Sequence, residues 1–259
     1  MYKSVFKEEA LARVVSEQLQ SMELEWSEDN LQKITELYGV NEGIRDLHGI
    51  EHLKNLRKIS MWDNQITDIS PLGTLGSLEE IFMDSNQIEN ITPLEKLSNL
   101  RVLYMADNEI ADISVLKELK ELKSISLWSN RITDISALEG LSGLEMLSLE
   151  DNQIVTVEPV KNLVNLEKLL LAGNGIESVN ALSGLANLKE LDLNRNNISD
   201  ISSFGKLTRL EQLYLEANKI SDVTALLSLE KLKVLDIEKN EVTGEITPEL
   251  FKNLEKLRV

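Results

Sequence analysis

An asparagine returns with a strict 22-residue period, at Asn64, Asn86, Asn108, Asn130, Asn152, Asn174, Asn196, Asn218 and Asn240, with no insertion or deletion between them. Around it runs a fixed apolar frame, Leu56-x-x-Ile59-x-Met61-x-x-Asn64-x-Ile66-x-x-Ile69-x-x-Leu72-x-x-Leu75-x-x-Leu78, which fits again when shifted by one period. A unit this short cannot bury its own apolar edge, and only neighbours stacked in register make a continuous core. A chain of 259 residues could be one large domain or two ordinary ones; the repeat predicts a single elongated array.

In each unit the pair Ile59-x-Met61, with its successors Ile81/Met83, Leu103/Met105, Ile125/Leu127, Leu147/Leu149, Leu169/Leu171, Leu191/Leu193, Leu213/Leu215 and Leu235/Ile237, alternates with variable residues. That pattern predicts a short parallel strand with one buried face. Where the chain leaves the strand, peptide groups face inward without a ladder partner, and a buried asparagine brings donors and an acceptor to satisfy them. The second half of each unit, Asp68-Ile69-Ser70-Pro71-Leu72 and relatives such as Asp134-Ile135-Ser136-Ala137-Leu138, predicts a capped turn. The three-residue spacing of Leu72, Leu75 and Leu78 suits a 3-10 or short helical back wall.

The ends differ from the middle. Residues 3–19 place Phe6, Ala10, Leu11, Val14, Val15 and Leu19 on one helical face. Ser27 then has the character of an N-cap before a short second helix burying Leu31, Ile34 and Leu37. Residues 1–41 thus form an expected helical cap, followed by 22-residue repeats over 42–240, the first with Glu42 in the asparagine slot. Residues 241–259 are expected to form a divergent last repeat, Asn240-x-Val242-Thr243-Gly244-x-Ile246-x-Pro248-x-Leu250, similar to the longer plant type. Its register is expected to drift before Leu254 and Leu257, and the sheet edge left there makes self-association an expectation.

The pattern L-x-x-L-x-L-x-x-N-x-L is that of leucine-rich repeats. The unit Asn-x-Ile-x-Asp-Ile-x-Pro-Leu, preceded by a helical cap and by Gly49-Ile50-Glu51-x-Leu53-x-Asn55-Leu56, resembles the internalin-type leucine-rich-repeat domains of Gram-positive bacteria. The resemblance covers residues 5–240 and implies a right-handed α/β solenoid curved into a horseshoe. The parallel sheet would line the concave face, short 3-10 turns the convex side, and protein recognition would occur on the sheet of a secreted or wall-attached protein.

On such a sheet the residues flanking the buried pair point outward and are free of packing demands. In the first four full repeats these slots hold Trp62, Phe82, Tyr104 and Trp128, beside Glu80 and Asp84, although aromatic residues make up only 4% of the chain. Contiguous exposed apolar residues mark interaction sites, and Trp and Tyr are common interface anchors. Further along, the slots turn acidic, with Glu150, Glu190, Asp192, Glu216, Asp236 and Glu238 around Lys168 and Tyr214. The competing reading is a shielded, solvated sheet face. The expected partner is a protein, guided by a basic patch toward the acidic end.

Other chemistries find little footing. A net charge of −17 repels nucleic acid and anionic lipid, and the lack of cysteine removes disulfides, thiolate metal sites and cysteine nucleophiles. No apolar run is long enough to insert in a membrane. The start, with Glu8 and Glu9 close behind Lys3, does not read as a signal peptide, so the chain is expected to be cytoplasmic or already processed. His48-Gly49-Ile50-Glu51-His52 matches the H-x-x-E-H arrangement of zinc peptidases, but Gly49 and the core position of Ile50 oppose the helix that chemistry needs. Asp68, Asp112, Asp134, Asp200 and Asp222 read as turn caps before calcium ligands. The expectation is a non-enzymatic recognition module with no cofactor and no metal. Its alternatives are an intracellular regulatory scaffold and, remotely, a zinc hydrolase at His48, Glu51 and His52.

Overall fold

The computed structural model describes residues 5–259; Lys3, the first residue of the expected N-terminal helix, lies outside the described residues. The chain divides into two units, Met1–Asn130 and Arg131–Val259.

In the first unit, helix α1 (Glu9–Ser21) buries Leu11, Ala12, Val14, Val15 and Leu19. The buried Phe6 meets Trp26 edge-on at 5.6 Å. The Glu8 carboxylate accepts the amides of Arg45 and Asp46 at 2.8 and 2.7 Å, which ties the start of the helix to the first coil. Helix α2 is only Glu28–Leu31, capped by the Ser27 hydroxyl oxygen, which accepts the Asn30 amide at 3.1 Å. It is shorter than its apolar spacing predicts. Ile34 and Leu37 are buried all the same, because Leu37 already lies in strand β1 (Glu36–Tyr38).

Strands β2 (Lys58–Ser60), β3 (Glu80–Phe82), β4 (Val102–Tyr104) and β5 (Ser124–Ser126) follow, each parallel to the one before. The pairing aligns Leu37, Ile59, Ile81, Leu103 and Ile125 in one row. The second unit repeats the arrangement with β6 (Met146–Ser148), β7 (Lys168–Leu170), β8 (Glu190–Asp192), β9 (Gln212–Tyr214), β10 (Val234–Asp236) and β11 (Lys256–Arg258). There Leu147, Leu169, Leu191, Leu213, Leu235 and Leu257 align. The drift expected before Leu257 does not occur: Leu257 pairs with Leu235 in the common register.

Behind each strand the chain returns through 3-10 turns such as Ser70–Thr74, Thr92–Lys96, Ser202–Lys206 and Thr224–Ser228. The leucines at three-residue intervals all point inward there, as in Leu94, Leu97 and Leu100, which have no exposed surface. A fully buried Leu or Ile contributes about 1.5–3 kcal/mol of gross transfer energy. A coil that buries Ile81, Met83, Ile88, Ile91, Leu94, Leu97 and Leu100 therefore rests chiefly on this term. The turn aspartates cap the 3-10 segments: Oδ1 of Asp68, Asp112, Asp134, Asp200 and Asp222 accepts the amide two residues on at 2.8 Å. Hydrogen bonds from Ser114, Ser202 and Thr224 hold Asp112, Asp200 and Asp222 below the ordinary carboxylate range.

Between strand and back wall the ladder asparagines reach to the preceding coil. The Asn64 Oδ1 accepts the Ile44 amide at 2.9 Å while Nδ2 donates to the Gly39 and Met61 carbonyls at 2.7 and 2.9 Å. The pattern recurs: Oδ1 of Asn86, Asn108 and Asn130 takes the amides of Ile66, Ile88 and Ile110. In the second unit, Asn152, Asn174, Asn196, Asn218 and Asn240 serve Ile132, Ile154, Ile176, Ile198 and Ile220. The residue before each ladder asparagine has positive φ, including Asp63, Ser85, Asp107, Ser129, Asp151, Gly173 and, less expectedly, Arg195, Ala217 and Lys239. A left-handed residue costs a side-chain-bearing amino acid about 1–2 kcal/mol, and the asparagine bonds that follow offset it. A second set, Asn55, Asn99, Asn165, Asn187 and Asn253, donates Nδ2 to a carbonyl 23 residues back on the exposed edge of the turn.

Candidate recognition face

In each unit the solvent face of the sheet carries three rows of side chains. In the first unit the central row, between the buried pairs, is Tyr38, Ser60, Phe82, Tyr104 and Ser126. One flanking row is Glu36, Lys58, Glu80, Val102 and Ser124. The other continues past the strands through Trp62, Asp84, Ala106 and Trp128, as the amide-to-carbonyl bonds Met61–Phe82, Asp63–Asp84, Ser85–Ala106 and Asp107–Trp128 define. The expected aromatic set is therefore divided between two rows. Trp62 and Trp128 lie after the second buried residue, at the turn side, whereas Phe82 and Tyr104 lie between the pair.

Position decides exposure. Central-row serines are shaded by larger neighbours, so Ser60 and Ser126 are buried. Phe82 and Tyr104 are half-buried and pack edge to face at 5.2 Å, while Tyr38, Trp62 and Trp128 stand out at 48%, 46% and 43% exposure. Tyr38 is missing from the expected aromatic set because the sequence pattern assigns its segment to the helical cap. Its signal is legible even so: Leu37-x-Gly39 sits one repeat period before Ile59-x-Met61.

Charge threads the same surface. Lys58 Nζ lies 5.1 Å from the Phe82 ring centroid and 6.0 Å from that of Tyr38, and pairs with Glu80 at 3.1 Å. The hydrogen bond to Glu80 pushes the Lys58 pKa up. Asp84 accepts the Ala106 amide at 2.7 Å, and burial pushes its carboxyl up.

In the second unit the central row runs Ser148, Leu170, Asp192, Tyr214, Asp236 and Arg258. Of the acidic residues expected on this face, Glu190, Glu216 and Asp236 are answered by cations. Lys168 meets Glu190 at 2.9 Å, Lys239 meets Glu216 at 2.5 Å and Arg195 meets Asp151 at 2.9 Å. Lys239 holds the Glu216 carboxyl below its ordinary range. Glu150 accepts a hydrogen bond from Ser148, and Tyr214 donates to Gln212 at 2.9 Å.

Asp236 corrects the expectation of an outward carboxylate. It is 4% exposed, covered by Arg258 of β11, whose guanidinium reaches it at 3.3 Å. Glu238, half-buried beside it, remains on the surface. Among the described residues Glu216, Asp236 and Glu238 bring carboxylate oxygens within 4.8 Å of one another, with Lys239 and Arg258 supplying the counter-charge. Asp192 is the most perturbed acid of this face. Burial pushes it up to about 6, Glu150 and Glu190 add to the shift, and the Asn194 amide it accepts at 2.9 Å opposes it.

His48 and His52 do not form the arrangement of a zinc peptidase. Ile50–His52 is a three-residue 3-10 turn entered through Gly49 at φ +107°. His48 Nδ1 lies 2.5 Å from Asp46, and Glu51 accepts the Gly49 amide at 2.7 Å, so both side chains are spent on the turn. No helix among the described residues is long and apolar enough to cross a membrane.

Parallel strands, 3-10 backs and an asparagine ladder define a leucine-rich-repeat protein. Family matches to leucine-rich repeats fall at residues 54–96, 76–118, 98–140, 164–203 and 186–228, and at 120–176. Among solved structures, internalin C2 of Listeria monocytogenes is similar at 30% identity over 84% of this chain and 96% of that one, with a TM-score of 0.77. A leucine-rich-repeat protein of Leptospira interrogans shares 26% identity over 76% of this chain and 58% of its own, at a TM-score of 0.66. The ectodomain of the Arabidopsis thaliana receptor kinase GASSHO1/SCHENGEN3, solved in complex with Casparian strip integrity factor 2, shares 25% identity over 81% of this chain and 27% of its own, at 0.73. No curated protein matches the sequence. The chain belongs to the leucine-rich-repeat family, as a bacterial protein of the internalin type.

Proposed function

We propose that this chain is a non-catalytic recognition module that binds a protein through the solvent face of its sheet, with the aromatic cluster of the first unit as anchor. The observation that carries this reading is the gathering of Tyr38, Trp62, Phe82, Tyr104 and Trp128 on neighbouring strands, where the core does not need them. Large aromatic side chains left in water at contiguous positions are what an interface anchor requires. A leucine-rich-repeat ectodomain solved with a protein factor bound accords with this role.

In this reading residues 1–41 close the end of the stack, residues 42–240 supply the face, and residues 241–259 form a divergent final coil. On the sheet of the second unit, Glu150, Asp192, Tyr214, Glu216 and Glu238 carry net negative charge that steers a basic partner. Asp236 contributes through its hold on Arg258.

The test is selection of a displayed random-peptide library on the purified chain, followed by binding measurements on a Trp62→Ala/Trp128→Ala variant. Selected peptides should lose at least ten-fold in affinity on the variant. Peptides that bind both proteins equally would place the preferred surface elsewhere.

A further inference from the structure

The row Trp62, Asp84, Ala106, Trp128 sets two half-exposed indoles at the ends of two small positions. Neighbouring strands lie about 4.8 Å apart, so the two tryptophan backbones are separated by roughly 14 Å. Between them Ala106 is fully buried and offers no surface of its own, and the half-buried Asp84 lies along the sheet to accept the Ala106 amide. Phe82 and Tyr104, packed edge to face, form the side toward the central row. The result is a notch with aromatic ends and one half-buried carboxylate at its base.

Beside it the protein has filled an equivalent arrangement by itself. Lys58 places its ammonium over Phe82 at 5.1 Å and against the Glu80 carboxylate at 3.1 Å. Ring, carboxylate and cation are all present there. Among the described residues, no lysine or arginine stacks on Trp62 or Trp128, and no cation pairs with Asp84. The notch holds the ring and the acid without the third member.

We infer that the notch between Trp62 and Trp128 takes a cationic side chain, an arginine or lysine offered by the protein partner, with Asp84 as its counter-charge. The indole is the strongest aromatic partner for a cation, and partial desolvation strengthens the attraction. A carboxylate partly withdrawn from water, with backbone amides but no cation beside it, gains more from an arriving cation than a solvated one does. A net charge of −17 brings such a ligand in. The inference rests on the recognition face proposed above and names what its anchor grips.

The probe is acetyl-arginine amide, titrated into the full chain while the indole N–H resonances of Trp62, Trp128 and Trp26 are followed by NMR. Acetyl-citrulline amide, of the same shape without the charge, is the comparison. Saturable shifts of Trp62 and Trp128 with arginine, little shift with citrulline, and an unmoved Trp26 are expected. Asp84→Asn keeps an oxygen for the Ala106 amide and should weaken the arginine probe at least five-fold. Equal responses to both probes, shifts unaffected by Asp84→Asn, or no saturation with arginine would each overturn the assignment. If arginine fails here while library-selected peptides still depend on Trp62 and Trp128, the cation is wrong and the face stands. If those peptides also ignore the tryptophans, the face itself is wrong.

Discussion

The side chain of Asn86 donates from Nδ2 to the carbonyl of Met61, 25 residues earlier, at 2.9 Å. Its Oδ1 meanwhile accepts the Ile66 amide at 3.0 Å, so one buried residue completes a peptide group that has no sheet partner and shares the Met61 carbonyl with Asn64. Replacing it with alanine strands the Ile66 amide, while the Met61 carbonyl keeps the Asn64 donor. Asn86→Ala should lower unfolding free energy by about 1–3 kcal/mol, read from urea denaturation. A loss under about 0.5 kcal/mol, the range of an inert surface change, would mean that water substitutes for the amide.

Gly49 offers a second test of the first coil. Its φ is +107°, and a Cβ there would come within 2.5 Å of the Phe6 ring and the Val5 carbonyl. Gly49→Ala should cost about 2–3 kcal/mol, combining backbone strain with a clash. A thermal melt indistinguishable from that of the parent would show that the cap yields freely.

Trp62 and Trp128 are each nearly half exposed and lie outside the buried frame. The Trp62→Ala/Trp128→Ala variant should lose about 2 kcal/mol or more in binding a selected peptide while its unfolding midpoint stays within a degree or two of the parent, roughly the scatter of a surface change. A large fall in stability would move these rings from recognition to structure.

Asp192 links stability to pH. Folded, it holds its proton up to about 6, against the ordinary 3.8, so the native state binds more protons than the unfolded chain between those values. Stability contributed by this group therefore falls as pH rises through that window and stays low above it. Asp192→Asn retains an oxygen for the Asn194 amide and removes the penalty. The variant should be more stable than the parent at pH 7.5 by about 1–2 kcal/mol, discounted for partial exposure, and indistinguishable at pH 3.5. An advantage of the same size at both pH values would contradict the assignment.

Association should also respond to salt. Steering by a net charge of −17 weakens as the Debye length shortens, so the on-rate of a basic selected peptide should fall several-fold between 20 and 300 mM salt, taken as rough working limits. Stopped-flow tryptophan fluorescence reads it directly. An on-rate flat across that range would remove electrostatic guidance from the account.

The repeat frame is legible because it is a spacing, and spacing survives without neighbours in view. Leu235 and the asparagines can be placed from the 22-residue period alone, and Leu257 keeps the same count although a drift is expected before it. The cap hides β1, since Leu37 reads equally well on a helical face or in a strand, and only pairing with Ile59 decides. The left-handed column needs Asp63, Ser85, Asp107, Ser129, Asp151 and Gly173 to be read downward, where small polar residues and glycine recur; Ala217 and Lys239 blur the signal. On the face, alternation tells which residues point away from the core but not which are shaded once there. Ser60 and Asp236 are covered by Phe82, Arg258 and their like, and that is a property of neighbouring strands. Whether a carboxylate is answered by a lysine one repeat away, as Glu190 is by Lys168, is open to sequence in principle, because the two share a slot in successive units.

The ladder asparagines serve the coil before them, and this gives assembly a direction. Deleting the coil that holds Asn218 leaves the Ile198 amide orphaned on a rigid backbone that cannot turn away, while the Leu193 carbonyl keeps only the Asn196 donor of its own coil. The backbone bonds between the two coils, such as the Lys219 amide to the Ile198 carbonyl, are lost whichever is deleted; for the ladder itself, deleting the coil that holds Ile198 and Leu193 frees only the Asn218 side chain, which keeps the Leu215 carbonyl of its own coil. Stepwise truncation should therefore be tolerated unequally from the two sides of a stack, and growth of folded structure is favoured when each new coil arrives to finish the turn of the one already formed.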